Sequence, residues 1–183
     1  MIWVAAPSLI ESNRKLIMPT RDTLAGEADA LKRYAITLTR DMSAADDLVQ
    51  DCMERALRKW TLRREGVPLR SWLFAMMRNL HIDGWRRGRR WVTEPLDQVA
   101  VLPALSPNQE DHVELNQLLR RVLTLPEDQR TALVLVSVEG FTYREAAETL
   151  GVPEGTILSR VSRARAALRE ANGDAFPKLR SVK

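Results

Sequence analysis

The residues best equipped to do chemistry lie in one stretch, TYREAAETLGVPEGTILSRVSRARAALR, from Thr142 to Arg169. Read at the helical period, Leu158, Ser159, Ser162, Arg163, Arg165 and Arg169 share one side of a helix. Cations and short hydroxyls are the groups that hold phosphates and reach base edges in a major groove. A second set is acidic. Asp47, Gln50, Asp51 and Glu54 fall on one face of DLVQDCMERALRKW, a face that DNA repels, so it is either solvated or made for a protein. A third set interleaves cations with rings: Arg78, Asn79, Trp85, Arg86, Arg87, Arg89, Arg90 and Trp91. Rings stack on unpaired bases while arginines hold phosphates. The competing reading is that these tryptophans are core and the arginines favour a helix C-terminus through its dipole.

Covalent catalysis finds little support. No nucleophile–base pair, metal cluster or phosphate loop is visible. Cys52 is alone, and His81 and His112 are far apart, so neither a disulfide nor a zinc site is expected. No cofactor is expected. The net charge of +4 and isoelectric point near 9.6 favour a polyanionic partner. No apolar run approaches membrane-spanning length, and the start MIWVAAPSLIESNRK lacks a basic region before its apolar patch. A cytoplasmic protein with no membrane insertion is expected.

The elements that position these residues are all helices, because apolar residues recur at helical spacing. The first runs from about Asp22 to Arg40 with Leu24, Ala28, Leu31, Ala35 and Leu38 inward. Ser43 and Asp46 resemble a capping box for a second, which runs to Trp60 with an apolar stripe of Ala45, Leu48, Val49, Cys52, Ala56 and Trp60. On that stripe Cys52 reads as a small core hydrophobe. Thr61–Pro68 is a loop. A third helix, Leu69 to about Arg87, turns Leu69, Trp72, Leu73, Met76 and Leu80 inward. Helices follow from Val113 to Leu123 and from Glu127 to Val138, the latter with Leu133, Val134 and Val136 inward. In the stretch from Thr142, Thr142 and Glu145 form a capping box, Gly151 takes the positive φ after the helix, and Ile157, Val161, Ala164 and Leu168 face the core. Small Ala147, turn Gly151 and buried Ile157 have helix-turn-helix spacing.

The fold class is therefore all-α: two small helical domains joined by a flexible linker. Residues 1–20 read as a loose tail, with Met18 as a second candidate start beside Met1; 21–91 form the first domain, 92–108 the linker, 109–172 the second domain, and 173–183 a tail.

Together the motifs resemble the bacterial sigma factors of the extracytoplasmic-function group, over about Leu24 to Arg169. DLVQDCMERALRKW, at 47–60, is similar to region 2.2. SWLFAMMRNLHIDGWRRGRR, at 71–90, is similar to regions 2.3 and 2.4. The segment 125–169 is similar to region 4. The resemblance implies promoter-directed initiation with core RNA polymerase, held at its β′ clamp helices and β flap, and an anti-sigma partner. It gives Asp47, Gln50, Asp51 and Glu54 to the polymerase. It gives Arg63, Arg64, Asn79, Trp85, Arg86 and Arg87 to the minus-10 element, with the loop Thr61–Pro68 holding a flipped base. The minus-35 element falls to Tyr143, Arg144, Thr156, Leu158, Ser159, Ser162, Arg163 and Arg165. Leu158 stands where many relatives place a cation, Ser162 where some place an aromatic, and the loop lacks an aromatic often found there. A linker of about 17 residues extends at most ~55–60 Å; with two domain radii of ~12 Å each, the pair spans two DNA turns, about 70 Å. The alternative is a stand-alone helix-turn-helix regulator, which leaves the acidic face unexplained.

Overall fold

A computed structural model describes residues 21–64, 66–88 and 118–172. The two tails, the linker 92–108, the helix start at Val113, His112, and Arg89, Arg90 and Trp91 lie outside the described residues. Helix α1 is Arg21–Thr39, α2 is Met42–Arg58 and α3 is Leu69–Arg86. After them come α4, Glu127–Ser137, preceded by helical residues 118–124; then α5, Tyr143–Leu150, and α6, Glu154–Asn172. No strand occurs among the described residues.

Helices α1, α2 and α3 pack on one another through the expected stripes. Leu31, Ala35, Ala45, Leu48, Cys52, Ala56 and Leu73 are fully or nearly fully buried. Burying each large member contributes roughly 1.5–3 kcal/mol. The cap of α2 differs from expectation. Asp41, rather than Ser43, is the N-cap, and its Oδ1 accepts from the Ala44 amide at 2.6 Å. Ser43 is an exposed residue inside the helix. Asp41 takes over because α1 runs only to Thr39, and Arg40, at φ +59, turns the chain sharply into α2. Arg40 still donates its amide to Ile36 O at 2.9 Å, closing α1 in the manner of a left-handed cap.

The second half meets expectation at the helix-turn-helix. Thr142 Oγ1 accepts from the Glu145 amide, and the Glu145 carboxylate accepts from the Thr142 amide at 2.8 Å. That backbone bond holds the Glu145 carboxyl below the ordinary range. Gly151, at φ +64, ends α5, and the Val152 amide reaches Ala147 O at 3.1 Å, a Schellman-type closure. Ile157, Val161, Ala164 and Leu168 are buried as expected.

The two halves also pack against each other, α1 on α4 and α3 on α5, in a continuous core. This explains why α3 buries two faces where its sequence suggested one. Beside the stripe of Leu73, Met76 and Leu80, a second row of Arg70, Phe74, Met77 and His81 recurs at helical spacing. Phe74 and Met77 are fully buried. Three members of the row meet the second half: Arg70 at Glu139, Phe74 at Phe141 (ring centroids 5.1 Å apart) and His81 at Glu127, 3.9 Å away. Arg130 crosses in the other direction. Its guanidinium is 1% exposed and donates to Thr37 O in the last turn of α1 at 2.5 Å, and to Leu125 O at 2.7 Å.

Burial pushes the His81 imidazole below its ordinary pKa; Glu127 opposes this, while Arg130 and Arg78 reinforce it. The fold thus holds His81 neutral, and the unfolded chain takes up its proton near pH 6.5. The stability from this group is present above that value and is lost as pH falls through the folded value. We expect the urea midpoint to fall between pH 7.5 and 5.5, and to fall less in His81→Asn. Equal acid losses in the two proteins would refute the assignment.

Candidate nucleic-acid interface

Helix α6 stands on the core through Ile157, Val161, Ala164 and Leu168, so its opposite side faces out. Ser162 and Arg163 are exposed, as is Leu158 at 49%. Ser159 and Thr156 are half-buried, and the Ser159 hydroxyl donates to Thr156 O at 2.9 Å. Arg165 is half-buried, with Nη2 bonded to Ser137 Oγ at 3.2 Å, which ties it to α4 and leaves Arg163 as the freer cation of the face. Arg160 reaches Asp128 at 2.6 Å and is turned toward α4. On α5, Arg144 is exposed and pairs with Glu148, 3.2 Å away, whereas Tyr143 is half-buried against the core. Of the residues expected to face DNA, Arg144, Leu158, Ser162 and Arg163 are exposed, while Tyr143, Thr156, Ser159 and Arg165 are half-buried.

The end of α3 is a second outward surface. Asn79, Arg86 and Arg87 are exposed, and Trp85 is 75% exposed. This removes the core reading of Trp85, because a ring so open is no core residue. Arg87 Nε bonds to Asp83 O at 3.1 Å, steadying the helix terminus. Trp60 goes the other way. It is half-buried in a 3-10 turn, Trp60–Leu62, that follows α2, and meets the edge of Trp72 with centroids 6.2 Å apart. Arg63 is engaged within its own loop. Its Nη1 bonds to Val67 O at 2.8 Å and its guanidinium lies 5.2 Å from the Trp60 ring centre, so it shapes the loop, while Arg64 is exposed.

The acidic face on α2 is also assembled. Asp47, Gln50 and Glu54 are exposed and Asp51 is half-buried. At the helical period they fall within an arc of about 100°, opposite Ala45, Leu48, Cys52 and Ala56. Gln50 Nε2 donates to Glu54 Oε1 at 3.2 Å. Cys52 points inward, its thiol against Leu73 O at 3.5 Å, and burial pushes its pKa up to about 12, so it is no nucleophile.

Sequence reading missed the charged residues between the halves: Arg33, Arg70, Glu139 and Arg130. The one signal was an arginine and a glutamate flanking the apolar run TALVLVSV; nothing in the sequence gave their partners. Among the described residues, no group of three or more His, Cys, Asp or Glu is placed to hold a metal, and no helix is long and apolar enough to cross a membrane.

Comparison with known proteins matches this layout. Residues 115–168 fit the family described as Sigma-70, region 4, and residues 24–78 fit the Sigma2 domain of PhyR. The chain is 38% identical over 148 residues to the ECF RNA polymerase sigma factor EcfG of Rhodopseudomonas palustris, covering 81% of this chain and 82% of that one. It is 35% identical over 143 residues to the ECF RNA polymerase sigma factor SigM of Mycobacterium tuberculosis, covering 78% and 71%. The sigma factor RpoE of Bartonella quintana, solved with the anti-sigma factor NepR, superposes with a TM-score of 0.70 at 34% identity, covering 85% of this chain and 98% of that one. The acidic helix face, the open Trp85–Arg87 terminus and the helix-turn-helix thus sit in a chain that belongs to the ECF RNA polymerase sigma factors.

Proposed function

We propose that this sigma factor works with a division of labour between its halves. It binds core RNA polymerase and directs initiation at specific promoters. Residues 21–91 act as region 2, docking on the β′ clamp helices through Asp47, Gln50, Asp51 and Glu54. The end of α3, with Asn79, Trp85, Arg86 and Arg87, captures unpaired bases of the minus-10 element. Residues 109–172 act as region 4 beside the β flap, reading the minus-35 element with α6, and 92–108 link the two. The work is binding and deformation of DNA in the cytoplasm, without covalent chemistry; extruding a base costs a few kcal/mol, which stacking and arginine–phosphate contacts offset. An anti-sigma factor is the expected regulator.

The observation that carries this reading is the pairing of opposite surfaces on neighbouring helices: an acidic arc on α2 and an open aromatic–cationic terminus on α3. A lone regulator has no use for the first. Reconstituted transcription with core polymerase over a promoter library tests it; no promoter-directed product, with DNA binding intact, would return the chain to the regulator class.

Docking has its own test. Asp47→Ala combined with Gln50→Ala removes two exposed side chains away from the apolar stripe, so the melting temperature should stay within about 2 °C. Affinity for core should fall roughly tenfold, a loss of ~1.4 kcal/mol. An unchanged affinity assigns the face to solvent.

A further inference from the structure

Leu158 lies in the second turn of α6 and is 49% exposed. A single exposed leucine needs no explanation on most surfaces. This one interrupts a face of different chemistry. At the helical period it lies about 40° around the axis from Ser162 and about 60° from Gly155, both of them exposed. Helical side chains lean toward the N-terminus, so Leu158 leans over the turn that holds Gly155. Gly155 carries no side chain, and nothing lies within 4 Å of where its Cβ would stand. The leucine thus borders open space at the leading end of the helix. Residues 154–160 contain one cation, Arg160, and Asp128 engages it at 2.6 Å. The first two turns of α6 therefore hold no free arginine or lysine with which to grip phosphate.

We propose that Leu158 sets promoter preference at one base pair by packing on the C5-methyl group of a thymine in the minus-35 element. The inference rests on the assignment of α6 to DNA, and it names the chemical group that one position of that helix recognises. The N-terminal residues of a recognition helix are those that meet base edges. Leucine offers those edges neither a donor nor an acceptor. The group in the major groove that it complements is the thymine methyl, which an apolar side chain can cover and which no other unmodified base carries. Bare Gly155 lets a base edge come close to the helix at this point.

The magnitude defines the role. Covering one methyl group is worth roughly a fourfold change in affinity. Leu158 therefore tunes preference at one pair and leaves overall affinity to cations such as Arg163. It neutralises no phosphate, so its removal should leave the salt dependence of binding unchanged. Cytosine methylated at C5 presents the same methyl at the same place in the groove, and it shares the contact.

The test uses the full chain with purified core polymerase. A promoter library first gives the upstream element that the parent prefers. Each thymine of that element, on either strand, is then replaced singly by deoxyuridine, which removes the methyl alone. Binding is measured for the parent, Leu158→Ala, Leu158→Met and Arg163→Ala. Leu158 is half exposed and alanine is a strong helix former, so Leu158→Ala should melt within about 2 °C of the parent. At one position deoxyuridine should cost the parent roughly three- to fivefold. The same replacement should cost Leu158→Ala less than about twofold, while Leu158→Met should keep most of the parent's loss. At that position the parent should bind 5-methylcytosine better than cytosine by a similar factor, and Leu158→Ala should not distinguish the two. No deoxyuridine-sensitive position, or a loss that Leu158→Ala retains in full, would overturn the methyl contact while Arg163→Ala still alters promoter preference. If neither Leu158→Ala nor Arg163→Ala alters that preference, the assignment of α6 to DNA falls as well.

Discussion

Replacing Arg130 with methionine should destabilise the folded chain by roughly 2–4 kcal/mol, the largest single-residue effect expected outside the apolar core. The guanidinium is buried without a carboxylate bonded to it in the described structure. It is held by carbonyls: Thr37 O at 2.5 Å, Leu125 O at 2.7 Å and Leu123 O at 3.4 Å. Thr37 lies in the last turn of α1, where carbonyls lack helical partners and the dipole attracts a cation. Arg130 thus closes a helix of the other half. Burial, with Arg40 nearby, lowers its pKa to about 10, so it remains charged at neutral pH. Methionine keeps much of the volume and relieves the cation's desolvation, but it strands the carbonyls; hence a moderate figure rather than an extreme one. Lysine should recover less than half, since one ammonium cannot reproduce the planar fork. Urea unfolding checks both, and a midpoint shift equivalent to under ~0.5 kcal/mol for Arg130→Met would remove Arg130 from this role.

The second large effect concerns promoter reading. Arg163 is exposed on α6 beside Ser162, whereas Arg160 is engaged by Asp128 at 2.6 Å. If Arg163 forks onto a base pair, Arg163→Ala loses roughly 1–3 kcal/mol of discrimination there, about 5- to 150-fold. If it meets phosphate alone, binding weakens on all sequences alike and the salt slope drops by about one. We expect the first outcome for Arg163→Ala and a smaller, sequence-independent change for Arg160→Ala. Binding across a promoter library at two salt concentrations separates them. Equal, sequence-blind defects in the two variants would refute specific reading by Arg163.

Local pattern made much of this molecule legible. The stripes of α1 and α2, the Thr142–Glu145 box, the Gly151 turn and the buried row of Ile157, Val161, Ala164 and Leu168 all follow from spacing, because each depends on residues within one or two turns of each other. What escaped depends on distant partners. Ser43 looked like a cap until Arg40's backbone placed Asp41 in that position. The second row of α3 was hidden because Arg70 and His81 look like surface residues, and only packing against the other half buries His81 and engages Arg70. Arg63 was visible as a loop cation, but its bond to Val67 O and its place beside the Trp60 ring depend on how the loop folds. The acidic arc of α2 was visible as a face, yet its assignment to polymerase came from family resemblance, since charge alone does not name a partner.

Cys52 gives the folded chain a clock. Its sulfur is fully enclosed beside Leu73 O, and with a pKa of about 12 roughly one molecule in ten thousand carries a thiolate at pH 8. A thiol reagent therefore gains access mainly when α2 lifts from α3. Because no other cysteine competes in the sequence, the labelling rate of the unmodified protein reports how often the first half breathes. Compared with the rate on the urea-unfolded chain, it gives the free energy of that opening at a single sulfur atom, without denaturant and without an introduced probe.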